Sequence, residues 1–324
     1  MLLTKYSASG NDFLITTAFR RANRASLAQK LCNRHNGIGA DGLVVLLPHS
    51  RFAYRWEFYN ADGSKANMCG NASRCVAHYA YANKIAPKNH SFLSGAGEIK
   101  VRVERNEVEV NLGKVRILRK NIAESLANSA CSDFSRFHES RSLQRTPSAS
   151  HSLDSQKRKN SSTILEFASS VKNSKSTADL SPQDEFALNF TLLDSGVPHL
   201  VAFVPHLNLA DFMPTKDSGK NSQNFAQNLA FLKNLRDKYN ANVNLAFIAD
   251  RDNVELLTYE RGVENITLAC GTGMCAVYYL AKTQNLINDK ATLIPPSGDK
   301  IALRLENNEV CFKGKVIKIA DIIV

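Results

Sequence analysis

Residues 67–79 and 268–279 read "NMCGNASRCVAHY" and "LACGTGMCAVYY", one phrase written twice. In each, a cysteine precedes glycine and small residues, a second cysteine follows six or five places on, and an apolar run ends in tyrosine. Such a repeat constrains the fold more than any bulk property, because the surroundings of one copy should be those of the other. The flanking runs agree. "FLITTA", "DGLVVLLP", "YRWEFYN" and "EIKVRVERNEVEVNLG" have strand-like length and alternation, and "ASRCVAHYAYAN" reads as a short buried helix. "NRASLAQKLCNRH" has helical spacing at Leu27, Leu31 and Cys32 behind a Ser26 cap. Farther on, "ALNFTLLDSG", "HLVAFV", "VNLAFIAD" and "NVELLTYERG" read as strands, "GTGMCAVYYLAKTQ" as a helix, and the chain from "ATLIPPSG" to "IADIIV" as a strand series. Two strand clusters, each with an embedded helix, imply an α+β fold rather than a doubly wound parallel sheet.

At 324 residues the chain is long enough for two domains. No 18-residue apolar run is present, so no membrane span is expected. The opening "MLLTKYSASGND" has no basic start followed by an apolar stretch, so no secretory leader is expected and the cytoplasm is the default compartment. There, thiols stay reduced, and seven cysteines in a chain this size do not form a disulfide framework. The net charge of +11 raises nucleic acid as a partner, but a net +6 of it lies between Lys114 and Asp179. Residues 125–181 also hold 17 serines in 57 positions. Such a stretch buries little apolar surface against its ordering entropy and reads as a flexible insertion, with nucleic acid not expected as a partner.

The first cysteine of each phrase, Cys69 or Cys270, stands before a Gly-rich turn that opens a helix. A helix N-terminus carries unpaired N–H groups and roughly half a positive charge. This should help each thiol toward thiolate, and the N–H groups of Gly70–Asn71 and Gly271–Thr272 suit a carboxylate. Cys75 and Cys275, deeper in their helices, read as small buried hydrophobes. Zinc is not expected, because the cysteine spacing is wrong and the eight histidines form no matching pattern. If the two halves face each other, two thiols flank one small molecule. One can then take a proton from a tetrahedral carbon while the other returns a proton to the opposite face, as general base and general acid.

"ASGNDFLI", "GIGADGLVVL", "YNADGSKANMCGNASRC", "GVPHLV", "ANVNLAFI" and "YERGVENITLACGTGMCA" resemble, in order, segments of the diaminopimelate epimerase family. The resemblance implies two pseudo-symmetric α+β domains, each a curved, mostly antiparallel sheet around a central helix. The domains would be residues 1–115 plus 312–324 and residues 116–311, the second containing the insertion. It implies an isomerase with no cofactor and no metal, a cytoplasmic homodimer that interconverts LL- and meso-diaminopimelate for lysine and peptidoglycan synthesis. It implies Cys69 and Cys270 as the catalytic thiols, and Gly70, Asn71, Gly271 and Thr272 around the reacting carboxylate. Asn11 matches a substrate-binding asparagine, and His199 a histidine near the reacting amino group. Asn60, Asn244, Glu260 and Arg261 match residues that read the distal head.

The chain departs from the family pattern in places. Val197 and Ala72 replace a common asparagine and glycine, Ile266 stands where glutamate is frequent, and the loop before Cys270 is one residue longer. A two-thiol racemase of the proline or hydroxyproline type is the nearest rival. A binding protein that works through the basic insertion is the rival of another class.

Overall fold

The computed structural model describes residues 1–126, 186–213 and 222–324, so the serine-rich insertion foreseen at 125–181 lies almost wholly outside the described residues. The first half runs β1 (Leu2–Ala8), β2 (Asn11–Thr17), α1 (Ala25–Cys32), β3 (Gly42–Leu47), β4 (Arg55–Asn60), α2 (Gly70–Ala82), β5 (Asn89–Ser94), β6 (Gly97–Glu104) and β7 (Glu107–Asn111). The second runs β8 (Arg116–Leu126), β9 (Phe186–Asp194), β10 (Pro198–Phe203), α3 (Ser222–Tyr239), β11 (Asn242–Ile248), β12 (Asn253–Glu260), β13 (Asn265–Ile266), α4 (Gly271–Thr283), β14 (Lys290–Ile294), β15 (Ile301–Glu306) and β16 (Glu309–Lys315). A last strand, β17 (Ile317–Ile323), returns to pair with β1.

The strand pairings follow one path: β17, β1, β2, β3, β4, β5, β6, β7, then β16, β15, β14, β12, β11, β10, β9, β8. The path repeats about its midpoint, the β7–β16 ladder. Parallel contacts fall at β2–β3 and β4–β5 on one side and at β10–β11 and β12–β14 on the other. Each parallel pair is joined by a crossover that contains a helix, as parallel strands require. Thus α1 corresponds to α3, and α2 to α4, the two helices of the repeated phrase.

Each half wraps its sheet around one central helix. Gly70 to Ala77 of α2 are all buried, in a core with Tyr6, Phe13, Val44, Trp56, Phe92 and Val110. Met274 to Tyr278 of α4 are buried with Val201, Ala246, Leu256, Leu293, Leu303 and Phe312. The outer helices cover the other face of the sheet, which explains the unbroken apolar run in β3. Its Val44 and Leu46 face α2, while Leu43 and Val45 face the layer that holds α1. Leu112, in the link between the halves, packs against both central cores.

Two sequence expectations change here. α1 starts at Ala25 with Arg24 at the cap, so Ser26 does not cap it; Asn23 Oδ1 accepts the Ala25 N–H at 3.1 Å instead. The 18-residue α3 had no counterpart in the sequence reading. Its apolar stripe is thin, with Leu232 and Leu235 its only fully buried apolar side chains among the described residues. Among those residues no helix is long and apolar enough to cross a membrane.

Because the β7–β16 ladder and Leu112 join the two cores, damage in one should be felt in the other. Leu303→Ala, in the second core, is expected to cost about 2–5 kcal/mol. The sole tryptophan, Trp56, sits in the first core. In urea its fluorescence midpoint should fall together with the circular-dichroism midpoint; an unshifted Trp56 transition would mean that the halves unfold independently.

Candidate active site

Cys69 is the N-cap of α2 and Cys270 that of α4, each with extended backbone. This conformation places the cap side chain over the first turn, where the unpaired N–H groups are. The N–H groups of Ala72 and Asn71 address the Cys69 sulfur, and the Thr272 hydroxyl and the Gly273 N–H address that of Cys270. The Cys270 sulfur lies 3.5 Å from Thr272 Oγ1.

The two helix mouths face each other. A methyl group on Gly271 would stand 3.6 Å from the Gly70 Cα, and one on Gly70 would stand 3.8 Å from the Gly271 Cα. Leu112 closes the floor beneath both. Cys69 is half-buried and Cys270 is buried, and both are free thiols. Burial pushes the Cys69 thiol up, against the pull of the two N–H groups and of the Arg74 charge; the Glu260 carboxylate adds to the rise. Burial pushes Cys270 up to about 12, with Glu260 and a charge on Cys69 adding to it. The expected drift toward thiolate is opposed by burial at both thiols. The helix-mouth N–H groups do act in that direction, but desolvation outweighs them.

Behind Cys270 lies a buried polar chain. His199 and Asn244 are fully buried. Asn244 Nδ2 lies 3.0 Å from His199 Nδ1 and 3.2 Å from the Leu200 carbonyl, and Asn244 Oδ1 accepts the Thr258 hydroxyl at 2.8 Å. The carbonyl can only accept, which fixes the amide with its N–H groups toward the ring. His199 Nδ1 is then an acceptor, and Nε2 lies 3.0 Å from Thr272 Oγ1. Burial pushes the His199 pKa down to about 3, so the ring is neutral at physiological pH. Gly273 makes room for this chain: a methyl group there would lie 2.5 Å from Asn244 Oδ1.

Matched at residues 3–118 and 191–319 is the family model described as diaminopimelate epimerase. The chain belongs to the diaminopimelate epimerase family. A relative in Nitratiruptor named diaminopimelate epimerase is 42% identical over 321 residues, covering 99% of this chain and 97% of its own. Relatives of the same name in Helicobacter pylori and Campylobacter jejuni are 40% and 38% identical, each over 98% of this chain and 94% and 96% of theirs. The family match breaks off across 119–190, the region of the serine-rich segment. Among solved structures, a probable proline racemase of Agrobacterium radiobacter (TM-score 0.61, 10% identity, 100% of this chain and 92% of its own) shares the fold. So does a hydroxyproline epimerase of Agrobacterium vitis (0.60, 13%, 99% and 91%). These likenesses support the α+β fold of this diaminopimelate epimerase family member.

The structure gathers most of the residues singled out in the sequence, in altered positions. Asn71 Nδ2 donates to Asn11 Oδ1 at 2.7 Å beside Cys69. Glu260, foreseen at the distal head, stands against Cys270. Burial raises its pKa, while the Thr267 and Cys270 side chains beside it act the other way. Arg261 diverges from it, since neighbouring side chains at a strand end point apart. Its guanidinium reaches the Asn240 carbonyl at 3.1 Å. His199 and Asn244 are fully buried; His199 lies against Thr272, and Asn244 against His199. Asn60 closes the turn after β4 by donating to Ser64 Oγ at 2.9 Å, next to Ala61, whose N–H bonds the Asp41 carbonyl.

Sequence reasoning missed Asn242, Asp41 and Arg74. Asn242 Oδ1 accepts the Arg261 N–H at 2.7 Å, and its Nδ2 lies 3.3 Å from His199 Nε2. The signal was present, since Asn242 and Asn244 are two apart on one strand and share a face.

The buried neutral histidine makes a pH prediction. The unfolded chain takes up a proton at His199 as pH falls through about 6.5, while the folded protein does so only near 3. Stability should therefore decline from pH 6.5 downward, by at most about 1.4 kcal/mol per pH unit from this group. Urea denaturation between pH 4 and 7 should show a shallower acid slope for His199→Asn than for the native chain; equal slopes would remove His199 from this role.

Proposed function

We propose that this protein interconverts LL- and meso-diaminopimelate through a two-base proton transfer at the α-carbon. Cys69 and Cys270 act as the catalytic pair, without pyridoxal phosphate or a metal. The carrying observation is the apposition of two helix mouths, each capped by a cysteine. The family relationship supports diaminopimelate as the substrate.

The α-carboxylate would rest at the openings Gly70–Asn71 and Gly271–Thr272, where both helix dipoles favour negative charge. Charge developing on the carboxylate as the proton leaves is met by the same dipoles. The surroundings of the thiols differ. The Glu260 carboxylate raises both thiols, and Cys69 alone also has the Arg74 charge opposing that rise. This asymmetry favours thiolate at Cys69 and thiol at Cys270 before substrate binds. The pair can exchange roles as the reaction reverses, with the neutral His199 steadying Thr272 against the Cys270 sulfur. Asn11 and Asn71 serve the reacting head, while Asn60 and Arg261 lie toward the distal one.

The lobes would be residues 1–115 plus 312–324 and residues 116–311. The return of the chain falls within β16, between Phe312 in the second core and Val316 in the first. A homodimer would use the sheet edge at β17, where Leu2, Ile317, Ile319 and Ile323 are exposed. The reaction is assigned to the cytoplasm, where the free thiols it needs stay reduced.

Protein purified without pyridoxal phosphate should exchange solvent deuterium into the α-carbon of LL-diaminopimelate. Cys69→Ala and Cys270→Ala should each lower epimerisation by at least about a thousandfold, a loss on the scale of removing an essential acid or base. Cys75→Ala should fold less stably yet turn over. Activity that requires added pyridoxal phosphate, or equal losses in folded Cys69→Ala and Cys75→Ala, would sink the scheme.

A further inference from the structure

Arg74 is the largest fully buried side chain among the described residues. Its hydrogen bonds go to Asn71 Oδ1 at 2.7 Å, Ser9 Oγ at 2.8 Å and the Lys315 carbonyl at 3.1 Å, and to no carboxylate. Burial pushes its pKa down to about 10, so it remains charged at neutral pH. A buried charge with no carboxylate bonded to it is expensive; Asp299 supports this one only through its charge, and the fold makes space for it. The Phe312 ring lies 4.7 Å from the guanidinium carbon, and a methyl group on Gly314 would fall 2.1 Å from Nη1.

The hydrogen bond to Asn71 opens a chain with a definite direction. Arg74 Nη2 donates to Asn71 Oδ1; Asn71 Nδ2 donates to Asn11 Oδ1 at 2.7 Å; Asn11 Nδ2 donates to Asp41 Oδ2 at 3.0 Å. Arg34 Nη2 holds the other Asp41 oxygen at 2.7 Å. Guanidinium can only donate, and an ionised carboxylate can only accept. The two ends therefore fix the orientation of both amides between them. Each amide oxygen is consumed, and one N–H of each amide has no partner among the described residues.

We propose that Arg74 and Asp41 are positioning residues that lock Asn71 and Asn11 with one N–H of each left for the ligand, so that this corner of the site reads a carboxylate and rejects an ammonium. The proposal rests on the reading that the cleft takes an amino-acid head. Without the lock, either amide can turn its carbonyl to the cleft. It would then repel the carboxylate it now binds, and a neutral donor would not be guaranteed beside Cys69.

The test is a double-mutant cycle on KM for diaminopimelate. Arg74→Met and Asn71→Ala should each raise KM about tenfold, and the double variant no more than Asn71→Ala alone, because one acts through the other. Arg74→Lys should recover part of the loss. Asp41→Asn, at a half-exposed position, should raise KM about threefold by releasing the far end, and it tests the lock if Arg74→Met does not fold. A folded Arg74→Met with native KM, effects that multiply in the double variant, or native KM in Asp41→Asn would each overturn the proposal. If the native protein does not turn over diaminopimelate, the functional reading fails instead. The lock is then read from the Asn71 and Asn11 side-chain amide resonances of the ligand-free protein. Arg74→Met should shift and broaden both; unchanged resonances would refute it.

Discussion

Two helix N-termini meeting mouth to mouth are the constraint on which the rest of the structure depends. Each brings roughly half a positive charge and several unpaired N–H groups. Placed together in a closed site, they repel unless something negative stands between them. Here the mouths are capped by sulfur, and Gly70 and Gly271 allow the backbones to approach. The arrangement is a receptacle for an anion before it is a catalytic site. A carboxylate whose α-carbon must be deprotonated fits that requirement, because negative charge grows on it as the proton departs.

Burial works against this field. It raises both thiols above their ordinary range, and in this state it defeats the helix ends. A site that is dry enough to strengthen its hydrogen bonds is also dry enough to resist ionisation. The balance falls unequally on the two sides, because the Glu260 carboxylate raises both thiols and only Cys69 has the Arg74 guanidinium to oppose it. In the proposed reaction the substrate ammonium would offset part of the cost of burial, so the thiols ionise most readily when the ligand is in place.

The halves, the two central helices and the start of each helix were legible in the sequence because they follow from local signals. These were glycine after cysteine, a 3.6 period, and alternation with turns between. The failures share one physical cause, which is tertiary override of local preference. α3 is thin in apolar residues, and its place is decided by the sheet face it covers. Ser26 is a good cap by type, but the chain enters α1 two residues earlier and uses Asn23. Arg74 was not singled out in the phrase "ASRC", and arginine is almost never fully buried without a partner. What buries it is Phe312 and Gly314, more than two hundred residues away.

The order of the strands adds a last constraint. In the second half the outermost place on the sheet path belongs to β8, which precedes its lobe in the chain; in the first half it belongs to β17, which comes last of all. The chain therefore passes between the halves twice, at Leu112–Val115 and again near Val316, and the β7–β16 ladder runs beside both crossings. A single linker would leave two domains free to swivel. Two linkers flanking a ladder restrict relative movement to bending about the line they define. Leu112, at the first of the two crossings, lies against Gly70 and Gly271. The apposition of the two helix mouths is therefore set by the backbone connections and not by either lobe alone.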